Sequence, residues 1–365
     1  MDKSLKRELR RVPAERSITQ VMGEIGAAIS GFGPALGFGQ VSSSHVPEGI
    51  DLVIATSGST GRTKEVGISR NALHASTQSA LTFLGAKPGQ RWSLLLPLTH
   101  IAGVNVLARS LELGTEPIDL RNSEKFVDAD FTAIVPTQLF RAINGDAELL
   151  KHLQNAQAVL VGGDALTNSL TKSAQMAGIN LVTTYGMTET CGGCVYNSNP
   201  LPNVEVRISK DHKVQIKGPM LATTYLNNET SWNDSFSSGW FTTNDIGTFD
   251  SGMLKISGRA DEIIISGGEK VSLIAIEEAL AQKFPASELV ACSVPDPEWG
   301  SALYIVTKNG SALNELETVQ HLESVLGAVA KPKGFLYVAT IPMIGVGKVD
   351  RRALADLVRE QGVGL

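Results

Sequence analysis

DLVIATSGSTGRTKEV, residues 51–66, runs from an apolar strand-like segment into a loop of hydroxyls, glycines and one lysine. Gly58 and Gly61 let the backbone approach an anion closely. Backbone N–H groups in such turns form anion-binding concavities. Thr56, Ser57, Ser59 and Thr60 add hydroxyl donors, and Lys64 adds a positive charge. The loop is not the one found in common nucleotide triphosphatases. That motif, G-x-x-x-x-G-K-[ST], needs its lysine directly after the glycine. Here Lys64 follows Gly61 by three positions, and Glu65 stands where a metal-binding hydroxyl belongs. Taken alone, the stretch has a plainer second reading, a polar surface turn between a strand and a helix.

Around this loop, apolar runs alternate with helical patterns. Ile18, Val21, Met22, Ile25 and Ile29 recur at helical spacing and predict a helix over 17–30. The Gly/Ser-rich 31–44 reads as a loop. A helix over 71–85, a strand-like 92–98, a helix over 101–114, a strand over 131–137 and a further strand over 156–163 follow. The alternation predicts an α/β fold with mainly parallel sheet layers. From about 198 to 258 the texture changes to short alternating strands, which predicts a small β-rich subdomain. From 261 to 365 a compact α+β unit is expected, so the chain divides into 1–258 and 261–365.

Composition bounds the function. With 365 residues, the chain exceeds one ordinary core. A net charge of −5 argues against a nucleic-acid or anionic-membrane surface. The three cysteines, Cys191, Cys194 and Cys292, fit a reducing cytoplasm better than a disulfide framework. Neither a signal peptide nor an apolar run of about 18 residues is visible, so no membrane insertion is expected. Cys191-Gly-Gly-Cys194 has zinc or redox spacing, but no second Cys or His pair accompanies it.

Four more stretches carry chemistry. In TTYGMTET (183–190), Tyr185 offers a face to a planar base, Thr188 a hydroxyl to a phosphate, and Glu189 a carboxylate to Mg²⁺. In GWFTTND (239–245), Asp245 ends a strand-like run and can accept from a ribose diol. In GRADEIIISGGEKVS (258–272), Arg259 is a further donor, Asp261 marks the junction and Gly267–Gly268 a tight turn. In IPMIGVGKVDRRAL (341–354), Lys348 sits on a Gly-Val-Gly turn that can carry it to a developing charge. Each has a plain alternative: a cap, a turn or a solvated basic face.

In this order, the five stretches resemble the adenylate-forming superfamily of acyl- and aryl-CoA synthetases, luciferase and peptide-synthetase adenylation domains. The resemblance runs from about Ile54 to Leu354. It implies a large N-terminal domain, a small mobile C-terminal domain and a hinge at Asp261. It implies ATP and Mg²⁺ as nucleotide and metal, with Thr56, Ser57, Gly58, Ser59, Thr60, Gly61 and Lys64 around the phosphates. Gly162, Gly163, Asp164, Tyr185 and Gly186 would border adenine, and Asp245 and Arg259 the ribose. Glu189 would hold Mg²⁺, with Thr188 beside it, and Lys348 would be the catalytic lysine. Gly268 would stand beside the CoA pantetheine. Thr63 departs from the family's usual proline, and the portion before the phosphate loop is shorter than in most relatives.

LLPLTHIAGVNVLARSL (95–111) and AIVPTQLFRAI (133–143) are similar to the o-succinylbenzoate–CoA ligases of menaquinone biosynthesis. That branch implies a diacid substrate whose second carboxylate needs a cation or several donors if buried. Arg109, His100, Thr137 and Gln138 are the candidates, with a surface arginine and a core imidazole as the plain alternatives for the first two. Transfer to a carrier protein, and a catalytically silent ligand-binding relative, are the competing functions. A homo-oligomer is compatible with all of these.

Overall fold

The computed structural model describes residues 6–57, 63–123, 125–260, 262–266, 269–284, 289–297, 299–344 and 348–361; of Ser57, Ser266, Glu269, Ile344 and Lys348 it describes the backbone. A large N-terminal α/β domain with mixed sheets is followed by a smaller α+β domain.

The first sheet has the strand order Thr224–Tyr225, Thr63–Ile68, Leu52–Ser57, Ala35–Phe38, Lys6–Arg11, His45–Pro47. Leu52–Ser57 and Thr63–Ile68 pair antiparallel, with Thr56 opposite Lys64 and Ser57 opposite Thr63. The glycine-rich loop therefore links two strands of a hairpin, not a strand and a helix. The helix comes one strand later, at Arg70–Leu84. Two other segments differ from the sequence reading. Ala35–Phe38, inside the expected 31–44 loop, is a buried strand, and the basic Lys6–Arg11 is a strand beside it. The reason is tertiary. Asp51, 1% exposed, accepts from Arg7 Nη1 at 2.7 Å and from the Arg70 backbone N–H at 2.6 Å, and Arg7 also donates to the Ala28 carbonyl at 2.7 Å. A buried carboxylate needs such partners, and they pin the basic strand to the sheet.

The second sheet has the order Asn199–Pro200, Gly192–Tyr196, Leu181–Met187, Ala158–Val161, Phe131–Ile134, Trp92–Leu94, Ile118–Asp119. The last five run parallel to one another and the first two antiparallel. Helices Ile18–Ile29, Arg70–Leu84 and Ile101–Glu112 pack with both sheets into one core containing Val21, Ile25, Leu52, Ile54, Trp92 and Val104. Burying each such side chain contributes roughly 1.5–3 kcal/mol. The Ile18–Ile29 helix starts with a reciprocal cap between Ser17 and Gln20.

The third sheet, Glu205–Ile208, Lys213–Lys217, Trp240–Asp250, Phe236–Ser237 and Met253–Arg259, is antiparallel. Its register places Asp245 opposite Arg259. A fourth sheet begins at Ile263 and takes in Glu269–Ser272, Gly300–Lys308, Val290–Asp296 and Gly334–Val338, with helices Leu273–Lys283 and Glu315–Leu326. The hairpin Met343–Ile344 with Lys348–Val349 leads into the helix Arg351–Glu360, capped by Asp350. Among the described residues, no helix is long and apolar enough to cross a membrane.

Candidate functional site

The first sheet, the second sheet and the Ile101–Glu112 helix enclose a cavity of about 350 Å³. It gathers residues that are far apart in sequence. Thr56 and Lys64 come from the hairpin, and His100 and Arg109 from the start and the body of the helix. Gly162 and Gly163 follow the Ala158–Val161 strand, and Gly186, Thr188 and Glu189 close the Leu181–Met187 strand. Arg259 reaches in from the third sheet.

Two glycines explain why the backbone can fold so tightly here. A Cβ on Gly162 would meet Thr184 Oγ1 at 2.2 Å. Gly192, at φ +95°, would place a Cβ 2.2 Å from Asn105 Nδ2. Asn105 Nδ2 and Ser76 Oγ both donate to the Cys191 carbonyl at 2.8 Å. These two polar side chains hold the turn that presents Thr188 and Glu189. Neither stood out in the sequence, because Ser76 and Asn105 meet Cys191 only through helix packing.

Lys64 Nζ donates to the Tyr225 hydroxyl at 3.4 Å and lies 4.5 Å from the centre of its ring. The same hydroxyl donates to Glu189 Oε1 at 2.6 Å. Glu189 is a hard oxygen donor beside a lysine, and no group of three or more His, Cys, Asp or Glu that could hold a metal ion occurs among the described residues. That donor set fits a small divalent ion held by one carboxylate and by ligand phosphates.

Tyr185 donates to Asp245 Oδ2 at 2.8 Å, and Arg259 Nη1 donates to Asp245 Oδ1 at 3.3 Å. Burial, then the Asp245 charge, push the Tyr185 phenol well above its ordinary range, so it stays a donor. Glu65 points away from the cavity. It is 1% exposed and accepts from Ser42 Oγ at 2.6 Å, from the Ser42 and Ser43 backbone N–H groups and from Ser43 Oγ.

Arg109 is 4% exposed. Its Nη2 donates to the Tyr196 hydroxyl at 3.2 Å and its guanidinium lies 5.0 Å from the Trp92 ring centre. Its Nε has no hydrogen-bond partner, and among the described residues no carboxylate pairs with it. A surface arginine is thus excluded. Thr137 and Gln138 are not brought to the cavity. Thr137 is exposed, and Gln138 uses its amide on backbone, accepting from Val135 N–H at 3.1 Å and donating to the Leu95 carbonyl at 3.2 Å. Asp164 is exposed, accepting from the Ala165 N–H at 2.8 Å.

Gly58, Ser59, Thr60, Gly61, Asp261 and Gly268 lie outside the described residues, as do the side chains of Ser57 and Lys348. The Lys348 backbone pairs with Ile344. Nearby, Arg351 forks onto Glu277 at 2.7 and 2.9 Å, which ties the start of the last helix to its domain.

Residues 20–226 match the AMP-binding enzyme family, and residues 275–348 match the AMP-binding enzyme C-terminal domain. Over 330 residues the chain is 35% identical to the probable 2-succinylbenzoate–CoA ligase of Mycobacterium tuberculosis (strain ATCC 25618 / H37Rv), covering 85% of each. It is 27% identical over 328 residues to the 2-succinylbenzoate–CoA ligase of Listeria monocytogenes, covering 83% of this chain and 69% of that one. The fold is similar to that of the Bacillus subtilis o-succinylbenzoate CoA synthetase in complex with OSB-AMP, with TM-score 0.75, 22% identity and coverage of 95% and 82%. It is as similar to the amide bond synthetase McbA of Marinactinospora thermotolerans, with TM-score 0.75, 22% identity and coverage of 94% and 83%.

Proposed function

The chain belongs to the AMP-binding enzyme family and is an adenylate-forming ligase of the acid–thiol type; within that activity, we propose that it joins o-succinylbenzoate to CoA in menaquinone biosynthesis. The carrying observation is the buried guanidinium of Arg109, which lines the cavity without a carboxylate partner among the described residues. A buried cation of this kind calls for an anion. A diacid brings one carboxylate to be activated and a second to meet Arg109. The names of the relatives support the same substrate.

The first half-reaction is attack of one substrate carboxylate on the α-phosphorus of ATP, releasing pyrophosphate and leaving an acyl-adenylate. Catalysis there is positioning and charge stabilisation. Thr56, Ser57, Ser59, Thr60 and Lys64 hold the outer phosphates, with Gly58 and Gly61 giving the close backbone approach. Glu189 would hold Mg²⁺, which would supply neutralisation of phosphate charge when bound. Gly162, Gly163, Asp164, Tyr185 and Gly186 border adenine, and Asp245 with Arg259 takes the ribose. Lys348 bridges the attacking carboxylate and the α-phosphate. In the second half-reaction the C-terminal domain turns about Asp261, Gly268 comes beside the pantetheine, and the CoA thiol displaces AMP. His100, which lines the cavity, contacts the acyl group.

The test is pyrophosphate release from MgATP and o-succinylbenzoate, with and without CoA, for the wild type and Lys348→Ala. Turnover that needs the diacid and CoA, and that is lost in the variant, is the expected result. Activity on fatty acids or benzoate with none on the diacid would leave the family in place and remove this substrate. Thioester found on a carrier protein and not on CoA would move the acceptor.

A further inference from the structure

Tyr225 comes from the Thr224–Tyr225 strand at the edge of the first sheet, where it sits opposite Val66. It is 1% exposed, and its ring meets the Trp232 indole edge-on with centroids 5.2 Å apart. The hydroxyl nevertheless ends in the cavity. There it stands between two opposite charges, donating to Glu189 Oε1 at 2.6 Å and accepting from Lys64 Nζ at 3.4 Å. The Lys64 ammonium also lies over the ring, 4.5 Å from its centre. Lys64 and Glu189 form no ion pair with each other, although both face the same cavity and the same hydroxyl.

A phenol is suited to this place because its single oxygen donates to a carboxylate and accepts from an ammonium at once. The ring face adds an attraction for the cation that draws it off the carboxylate. The rigid ring, seated on Trp232, leaves the hydroxyl little freedom to move. Opposite charges so close in a partly enclosed cavity attract strongly, and a direct Lys64–Glu189 pair would satisfy each with the other. Both would then be lost as binders of phosphate and of a divalent cation.

We propose that Tyr225 is a positioning residue for the nucleotide step, holding Lys64 and Glu189 apart and orienting one Glu189 oxygen so that the other faces a divalent cation. The inference rests on the proposed roles of Lys64 toward phosphate and Glu189 toward Mg²⁺, and deepens them. The hydroxyl acts through those two side chains and takes no part in bond making.

The experiment uses the full chain and measures ATP binding by equilibrium dialysis across a titration of Mg²⁺, with neither acid nor CoA present, for the wild type and Tyr225→Phe. Phenylalanine keeps the ring on Trp232, and thermal melting beside the wild type checks that the packing holds. The expected result is that the Mg²⁺ concentration for half-maximal ATP binding rises about tenfold, the scale of one charge-assisted hydrogen bond. Saturating Mg²⁺ should restore ATP affinity, because the ion competes with Lys64 for Glu189. Adding Lys64→Met to Tyr225→Phe should cause less further loss than Lys64→Met causes alone. An unchanged Mg²⁺ titration overturns the inference. So does a loss of ATP affinity that Mg²⁺ cannot rescue, which is what damage to packing alone would give. A wild type that binds no ATP overturns the nucleotide roles themselves, a result distinct from equal binding by wild type and variant.

Discussion

Lys64 and Glu65 are neighbours on one strand and serve opposite faces of it. Lys64 reaches the Tyr225 hydroxyl in the cavity, while Glu65 turns the other way and gathers Ser42 and Ser43. The alternation of a strand makes this division unavoidable. It also resolves why an acid follows the lysine after the glycine-rich loop. Glu65 ties the segment before His45 to the back of the hairpin.

Glu65→Ala should therefore destabilise the chain by about 2–3 kcal/mol, since it strands the hydroxyl and N–H donors that the carboxylate now satisfies. Burial works to raise the Glu65 carboxyl, but the Ser42 and Ser43 hydrogen bonds outweigh it and hold it below its ordinary 4.5. The unfolded chain thus takes up this proton more readily than the folded one. The stabilisation is present in full above pH 4.5 and is lost as pH falls through the lower folded value. Urea unfolding across the acid range should show a steeper fall for the wild type than for the variant.

Gly192→Ala should unfold more easily and bind ATP more weakly. The backbone at φ +95° is strained for alanine, and the new methyl would push on Asn105 Nδ2, which anchors the Cys191 carbonyl. A cost of about 1–3 kcal/mol is expected from the backbone alone. Asn105→Ala removes the clash partner, so the double variant should recover part of the loss. Equal, additive losses in denaturant melts would show that the contact is not the cause.

Arg109→Met should separate stability from substrate binding. A guanidinium at 4% exposure with its Nε unsatisfied and, among the described residues, no carboxylate against it is costly, and methionine fills similar volume, so the melting temperature should hold or rise. The Michaelis constant for the diacid should climb about tenfold to a hundredfold, the range for hydrogen bonds to a charged group. An aromatic acid without the second carboxylate should be unaffected. Parallel kinetics on the two acids decide it, and an unchanged constant for the diacid would remove Arg109 from the binding site.

The three cysteines should resist alkylation in the native chain. Burial pushes each of the thiols of Cys191, Cys194 and Cys292 up to about 12, which leaves almost no thiolate at neutral pH. Iodoacetamide labelling followed by mass spectrometry should modify them only after denaturation. Rapid labelling of Cys191 or Cys194 in folded protein would reopen a redox or metal role for the Cys-Gly-Gly-Cys turn.

Much of this molecule was legible in its sequence. The alternation of apolar strands with amphipathic helices fixes the α/β class, because burial on one face or both writes its period into the chain. The glycine- and hydroxyl-rich loop, TTYGMTET, TTND and GVGKVDR stood out because each concentrates chemistry within a few consecutive residues. What local pattern could not supply is which distant side chains meet. Gln138 looked like a pocket residue and instead caps its own helix, and Thr137 beside it faces solvent. The strand Ala35–Phe38 carries no alternation, since it is buried throughout, and only the Asp51–Arg7 contact shows why its basic neighbour joins the sheet.

By itself, then, the sequence determined the class of fold, the order of its motifs and the kind of ligand they suit, because these depend on residue type and short-range spacing. Tertiary structure alone decided that Tyr225 stands between Lys64 and Glu189, and that Arg109 is buried with no carboxylate paired to it among the described residues. Such relationships arise when separate elements close on a common core, and no neighbouring residue in the chain records them.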